Sequence, residues 1–296
     1  MNFSFAKEMI KNKRGDEKTK IIMKIHFYGT GASEGFPALF CECDACREAR
    51  KRGGKNIRTR TSLQIDDKLL IDFSPDTYAH TLYGGLDLTT LEHLLITHSH
   101  PDHLYAMDVA NVLPPMGKRK KGRTLFVYGS EGVKTVMNRT LQNCTDAEEY
   151  LSFKEIHAFE SLSIQDYQVF PVRADHMPDE ECFLYVIQKA GRTVLIGFDT
   201  AVFPEETWQA LAAFHFDCVI LDCTSVDQDH YFRGHMGFGE DVMIKNRMLM
   251  EQMAGEDTVF IATHFAHSFA PFHERLYDLF TPEGFLPAYD GMEVSF

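Results

Sequence analysis

Thr97-His98-Ser99-His100-Pro101-Asp102-His103 packs three imidazoles and a carboxylate into seven consecutive positions. Residues two apart on extended backbone point to the same side, so His98 and His100 are placed to grip one cation together. Asp102 and His103 follow where the chain is expected to turn into a helix, and they aim at a second cation beside the first. Imidazole and carboxylate suit zinc, iron or manganese. A merely polar, His-rich loop has no reason to fall between a strand and a helix at ligand spacing. A second constellation is Cys41-Glu42-Cys43-Asp44-Ala45-Cys46, whose three thiolates favour tetrahedral zinc and require a fourth ligand.

Ligands of this kind need rigid supports, and the flanking sequence supplies them. Lys24–Tyr28, Ser62–Ile65, Leu69–Phe73 and Leu94–Ile96 read as strands, the middle two joined through Asp66-Asp67-Lys68. Asp76–Leu82 and His103–Leu113 read as helices from the spacing of their apolar residues. In the second half, Leu125–Tyr128, Gln168–Val172, Phe183–Ile187, Thr193–Ile196, Cys218–Leu221 and Val259–Ala262 are strand-like. Glu131–Thr140, Glu205–Ala213, Gly239–Met253 and Pro271–Phe280 are helix-like. No stretch is rich enough in Pro, Gly or Ser to divide residues 23–296, which are expected to form one folded unit behind a tail of residues 1–22. Paired strands followed by strand–helix units predict a two-layered sheet core with helices outside, in the α/β (α+β) class.

Composition narrows the field. Of 296 residues, 44% are hydrophobic and 25% charged, which excludes a disordered or fibrous chain. Lys and Arg number 30 against 43 Asp and Glu, a net charge of −13 that disfavours general binding to duplex nucleic acid. Bound divalent cations would reverse that sign locally. Seven cysteines, an odd number, exclude a fully paired disulfide framework and point to a metal site plus ordinary thiols in a reducing, cytoplasmic compartment. Residues 1–22 contain no apolar run suited to a signal peptide or membrane span.

His-x-His-x-Asp-His after a strand resembles the signature of the metallo-β-lactamase superfamily, which implies a four-layered αββα sandwich with a dinuclear metal site at one edge. By that resemblance, His98, His100 and His176 hold the first metal, and Asp102, His103 and His264 the second. Asp199 matches the carboxylate that bridges both, and Asp72 the early aspartate that orients ligands. Histidine at position 100 departs from the redox diiron branch, which has a carboxylate there. The bridging Asp199 departs from the secreted β-lactamases. Phosphodiesterases, nucleases and glyoxalase-like thioesterases remain.

The cysteine loop sharpens the resemblance. Paired with the dinuclear motif, with Gly29-Thr30-Gly31-Ala32-Ser33-Glu34-Gly35-Phe36-Pro37 and with Arg58-Thr59-Arg60-Thr61-Ser62, it is similar to the phosphoribosyl cyclic phosphodiesterases of phosphonate breakdown. Pyrroloquinoline-quinone biosynthesis proteins share a similar cysteine loop. His267 is the candidate fourth ligand to a structural zinc held by Cys41, Cys43 and Cys46. Two divalent ions (Zn, Mn or Fe) are implied at the catalytic site, with hydrolysis of a small cyclic phosphate or nucleotide-like phosphodiester by a hydroxide between them. His235, in Arg233-Gly234-His235-Met236-Gly237, is implied to protonate the leaving alkoxide or to stabilise the phosphorane-like charge, with His230 as competitor; Asp102 is the other catalytic candidate.

Those features imply a small phosphodiester as partner, with no membrane and no stable nucleic-acid complex, and they allow a homodimer. A ribonuclease Z-like tRNA 3′ endonuclease is the alternative, but the basic arm of those enzymes has no counterpart between His176 and Asp199. A glyoxalase II-like thioester hydrolase is the other. Lys118-Arg119-Lys120-Lys121-Gly122-Arg123 reads as a solvated loop, or as an attractor for a polyanion. Thr30 and Ser33 either face a substrate or only form a turn.

Overall fold

Alternate side chains along the strands enter different apolar layers, and this period of two decides the architecture. The computed structural model describes residues 23–120, 122–228, 232–269 and 272–296. The expected tail, residues 1–22, lies outside the described residues, as does His230.

The first sheet contains β1 (Lys24–Gly29), β2 (Ser62–Ile65), β3 (Leu69–Ile71), β4 (His93–Leu95), β5 (Leu125–Gly129), β6 (Leu151–Glu155) and β14 (Glu293–Ser295). Its order is β14-β1-β2-β3-β4-β5-β6. The second contains β7 (Leu162–Ile164), β8 (Tyr167–Arg173), β9 (Phe183–Lys189), β10 (Arg192–Gly197), β11 (Cys218–Asp222), β12 (Val259–Thr263) and β13 (Phe285–Pro287). Its order mirrors the chain, β13-β12-β11-β10-β9-β8-β7. Strands β3 to β6 run parallel, as do β10 to β13.

Leu63, Ile65, Ile71 and Leu95 of the first sheet meet Val169, Ile187, Ile196, Ile220 and Ile261 of the second in one buried cluster. The residues between them point outward. Leu70, Leu94 and Val127 pack with Val109, Val133 and Met137, which lie on α3 (Ala106–Val109) and α4 (Glu131–Leu141). Leu184, Leu195, Val219 and Phe260 pack with Trp208, Ile244, Met248, Leu276 and Phe280. Those come from α5 (Glu205–Leu211), α6 (Phe238–Met250) and α7 (His273–Phe280). The result is the expected four-layered αββα sandwich, held by one central and two outer apolar layers.

Most expected elements occur within a residue or two of the stated bounds. The helix expected over His103–Leu113 is shorter: only Ala106–Val109 is α-helical, followed by a 3₁₀ turn over Ala110–Val112. Leu104 is held instead by a parallel bridge to Phe73, which keeps the backbone extended just after His103. Helices α1 (Asp44–Arg52) and α2 (Thr77–Tyr83) flank the loops that lead toward the metal-ligand candidates. No helix among the described residues is long and apolar enough to cross a membrane.

The glycine loop at the end of β1 is packed backbone to backbone against the segment around Thr59 and Arg60. A Cβ on Gly29 would stand 1.9 Å from the carbonyl oxygen of Arg60, so only glycine lets the two chains meet there. The amides of Thr30 and Gly31 both donate to the Thr59 carbonyl, at 3.0 and 2.8 Å. Thr30 is buried with its hydroxyl donated to Asp290 (2.8 Å), while Ser33 is exposed.

Candidate metal centre

The ligand candidates lie just beyond the carboxyl ends of β4, β8, β10 and β12, where the backbone leaves the sheets and side chains converge. Asp72 and Asp222 follow or end β3 and β11 and are fully buried. Each organises two histidines. Asp72 accepts directly from His103 Nδ1 (2.6 Å) and from the Thr97 hydroxyl (2.9 Å). With its proton committed to Asp72, that hydroxyl oxygen accepts from His98 Nδ1 at 3.0 Å. Asp222 repeats the device: it accepts from His235 Nδ1 (2.7 Å) and from the Thr224 hydroxyl (2.6 Å), whose oxygen accepts from His264 Nδ1 (2.7 Å). His176 Nδ1 donates to the Gly234 carbonyl at 2.9 Å. Five imidazoles are thereby tied by Nδ1 and left presenting Nε2.

Those Nε2 atoms converge on Asp199. Its Oδ1 lies 3.0 Å from His103 Nε2 and 3.1 Å from His264 Nε2. Its Oδ2 lies 3.7 Å from His176 Nε2, 3.8 Å from His98 Nε2 and 4.0 Å from His235 Nε2. Ligand atoms of His98, His100, His176 and Asp199 all fall within 4.8 Å of one another, and so do those of Asp102, His103, Asp199 and His264. Asp72 and His264 hold left-handed backbone, both at φ 62°, a strain of about 1–3 kcal/mol for a non-glycine residue. Strain at two neighbouring strand ends is tolerated where it aims a side chain.

The residues present fit a pair of cations. His100 Nδ1 sits 3.0 Å from His98 Nε2 and 3.1 Å from His176 Nε2, although two of these three nitrogens carry inward lone pairs. Burial pushes His98 and His176 below the usual imidazole range, giving the neutral form that a metal ligand needs. Burial also acts to lower His103, but Asp199, Asp102 and Asp72 outweigh it and hold that imidazole well above its ordinary value. A proton there stands where a cation would. His103 Nε2, His264 Nε2 and Asp199 Oδ1 are buried without a hydrogen-bond partner, an expensive arrangement unless something else satisfies them.

His235 is set apart from this set. It stacks on His264 with ring centroids 5.3 Å apart and keeps 16% of its side chain exposed, so it stands at the rim. Burial disfavours its charge, yet Asp222 and then Asp199 raise it to about 9. Asp199, Asp222, His235 and His264 also form a cluster of ligand spacing. Asp222, however, is already saturated: the amides of Thr200 (3.1 Å) and Thr224 (2.8 Å) complete its four hydrogen bonds. It is an orienting carboxylate rather than a ligand.

The cysteine cluster forms a separate centre. Ligand atoms of Cys41, Cys43, Cys46 and His267 lie within 4.8 Å of one another, with Cys41 Sγ 3.6 Å from His267 Nε2. Cys43 is the N-cap of α1 and accepts from the Cys46 amide at 3.3 Å, which draws its thiol down to about 7. Glu34 accepts from both the amide and Nδ1 of His267, each at 3.0 Å, and so turns Nε2 toward the thiols.

With this geometry in place, comparison with known proteins is direct. Residues 67–265 match the Beta-lactamase superfamily domain. The chain belongs to the beta-lactamase superfamily. Two curated relatives are an octanoyltransferase of Porphyromonas gingivalis (29% identical over 163 residues, 52% of this chain and 31% of that protein) and a ribonuclease Z of Methanocaldococcus jannaschii (24% over 160 residues, 53% and 45%). The matched segment is less than half of either relative. Among solved structures, a diphosphatase from the PhnP family superposes with a TM-score of 0.71 at 21% identity, covering 93% of this chain and 98% of that one. Zn(2+)-bound PqqB from Methylobacterium extorquens gives 0.66 at 16%, covering 92% and 100%. At such identities these two establish the shared fold. The chain thus carries the metallo-β-lactamase fold, with its ordered His and Asp residues converging as described.

Among the described residues, every ligand candidate and His235 is brought to one of the two clusters; the competitor His230 lies outside the described residues. His26, His80, His93, His157, His215 and His273 take part in neither. Sequence inspection missed Thr97, Asp222 and Thr224, which orient four of the superfamily histidines together with Asp72. It also missed Glu180, which accepts from Ser99, between His98 and His100, and from Ser130 at 2.7 Å. Ser130 in turn caps α4 through the Val133 amide. The one legible trace was a strand-ending Asp-x-Thr, Asp222-Cys223-Thr224.

Proposed function

We propose that this chain is a metal-dependent phosphodiester hydrolase acting on a small cyclic phosphate or nucleotide-like diester. His98, His100, His176 and Asp199 would hold one divalent cation, and Asp102, His103, Asp199 and His264 the other; Cys41, Cys43, Cys46 and His267 would hold a zinc. When bound, a cation pair of this type supplies Lewis acidity at the phosphoryl group and a water acidified to near-neutral pH. The observation that carries the proposal is the doubled Asp–Thr–His arrangement, in which two buried carboxylates fix four imidazoles toward one shared aspartate.

His235 would do the protein's own proton chemistry. Its Nδ1 proton is committed to Asp222, so the proton on Nε2 is the one free to pass to a leaving oxygen. Asp222, 2.7 Å from Nδ1, faces the imidazolium and keeps the ring oriented.

Two features favour a small substrate over pre-tRNA, despite curated relatives named Ribonuclease Z. The chain between His176 and Asp199 is consumed by the β9–β10 hairpin, whose strands pair from Arg192 with Lys189, leaving Ala190 and Gly191 as the turn. No arm extends from it. The net charge of −13 also opposes a long polyanion.

Three substrates separate the alternatives: bis-p-nitrophenyl phosphate, pre-tRNA and an acyl-glutathione thioester, each with Zn or Mn. Diester turnover with neither of the other two is the expected outcome. Absence of diesterase activity with any divalent metal, or faster thioester cleavage, would remove the proposal.

A further inference from the structure

A cleft of about 490 Å³ lies between α3 and the first sheet, and none of the metal-ligand candidates lines it. Its walls are largely aliphatic and aromatic, with Phe73, Leu88, Leu91, Val112 and Leu125 contributing. Its rim carries Lys118, Arg119, Lys120 and Arg123. Lys118, Arg119, Lys120 and Arg123, which read as solvated in the sequence, therefore border an apolar hollow.

These cations are short of partners. Arg119 donates Nη2 to the Leu91 carbonyl at 2.6 Å, which fixes the guanidinium plane, yet its Nε is buried with no acceptor among the described residues. Arg123 donates to the Thr89 carbonyl at 3.0 Å and reaches Glu92 only at 3.9 Å. Among the described residues, no carboxylate lies within ion-pair range of Lys118, Arg119 or Lys120. Asp108 also lines the cleft and shares a long contact with Asn111 (3.4 Å). Burial, and then the neighbouring Arg123, press the Arg119 pKa downward, as expected where cations crowd one another. In a chain of net charge −13 this concentration of positive charge is local.

We infer that this cleft is a binding site for a small amphipathic anion, an apolar chain or ring bearing a phosphate or carboxylate. The volume falls within the range of small-molecule sites, roughly 300–1,000 Å³. The apolar walls would take the body, and the Arg119 fork with Lys118 and Lys120 would take the anionic group. The wall is continuous with the metal-ligand segment: the Phe73 amide donates to the His103 carbonyl at 2.8 Å, and the Phe73 carbonyl accepts from Tyr105 at 2.7 Å. The site does not depend on which bond the metal centre cleaves.

Titrating the full, metal-loaded protein with hexyl phosphate, hexanoate and hexan-1-ol, followed by ligand-observed NMR, tests this. Hexyl phosphate is expected to bind, hexan-1-ol to bind at least about tenfold more weakly, and added salt to weaken the anion. Arg119→Gln should weaken hexyl phosphate about tenfold or more. Because Arg119 also holds Leu91, the exposed double substitution K118Q/K120Q serves as a second variant that leaves the packing intact; a loss of about threefold or more is expected. Hexanoate binding as tightly as hexyl phosphate assigns the cleft to both anions, and weaker binding assigns it to phosphates. Affinity unchanged in both variants places the ligand elsewhere, including at the metal centre, and overturns the inference. Equal binding of hexan-1-ol does so too.

Discussion

Replacing Asp199 with asparagine should release the catalytic cations and lower kcat/KM by about 10³-fold or more, equivalent to about 4 kcal/mol of transition-state stabilisation. Asp199 belongs to both four-residue ligand sets, its Oδ1 facing His103 and His264 and its Oδ2 facing His98 and His176. Asparagine keeps the size but removes the charge and replaces one acceptor with a donor. Whichever oxygen becomes the amide nitrogen, one of the two ligand sets then faces an NH2 group with no lone pair to offer a cation. Metal content by mass spectrometry and kcat/KM on a diester check this, with far-UV circular dichroism as the control for folding. A variant with its full metal complement and activity within tenfold of the parent would contradict the bridging role.

His235→Ala should behave differently, keeping its metals and losing about 10²–10⁴-fold in kcat. His235 shares no ligand set with His98, His100 or His103, and its Nδ1 is occupied by Asp222 at 2.7 Å. The loss should depend on the leaving group. An alkoxide needs a proton as the bond breaks, whereas p-nitrophenolate leaves readily without one. The variant should therefore lose much more activity on an alkyl diester than on bis-p-nitrophenyl phosphate. Equal losses on both substrates would reduce His235 to a positioning residue. Loss of metal would make it a ligand.

The ligands were legible because they carry unusual residue types at strand ends. Histidine and cysteine are scarce enough that His98-x-His100 or Cys41-x-Cys43 stands out locally. The residues that aim them were hidden for the opposite reason. Thr97, Asp222 and Thr224 are ordinary strand-end residues, and their role appears only when Thr224 meets His264, 40 positions away, at 2.7 Å. Among the elements, α1 escaped notice because its burial rests on Cys46 and Ala49 alone, so the apolar stripe of a helix is absent. Strands β7, β13 and β14 are each 3 residues long and lie at sheet edges, without the continuous buried run of the equally short β3. The apolar hollow beside the basic run was illegible for a related reason. Charge patterning describes a loop's composition, whereas the apolar walls beneath it come from Phe73, Leu88 and Leu125, distant in sequence.

Metal stoichiometry, measured by inductively coupled plasma mass spectrometry on protein purified without chelator, tests the convergence of these ligands most directly. About three ions per chain are expected, a pair at the histidine–aspartate cluster and one zinc at the cysteines. His98→Ala should lower the count at the first cluster and leave the cysteine-bound zinc in place. Protein that carries no metal at the histidine cluster, even after incubation with excess Zn or Mn, would contradict the dinuclear centre and the hydrolysis built on it.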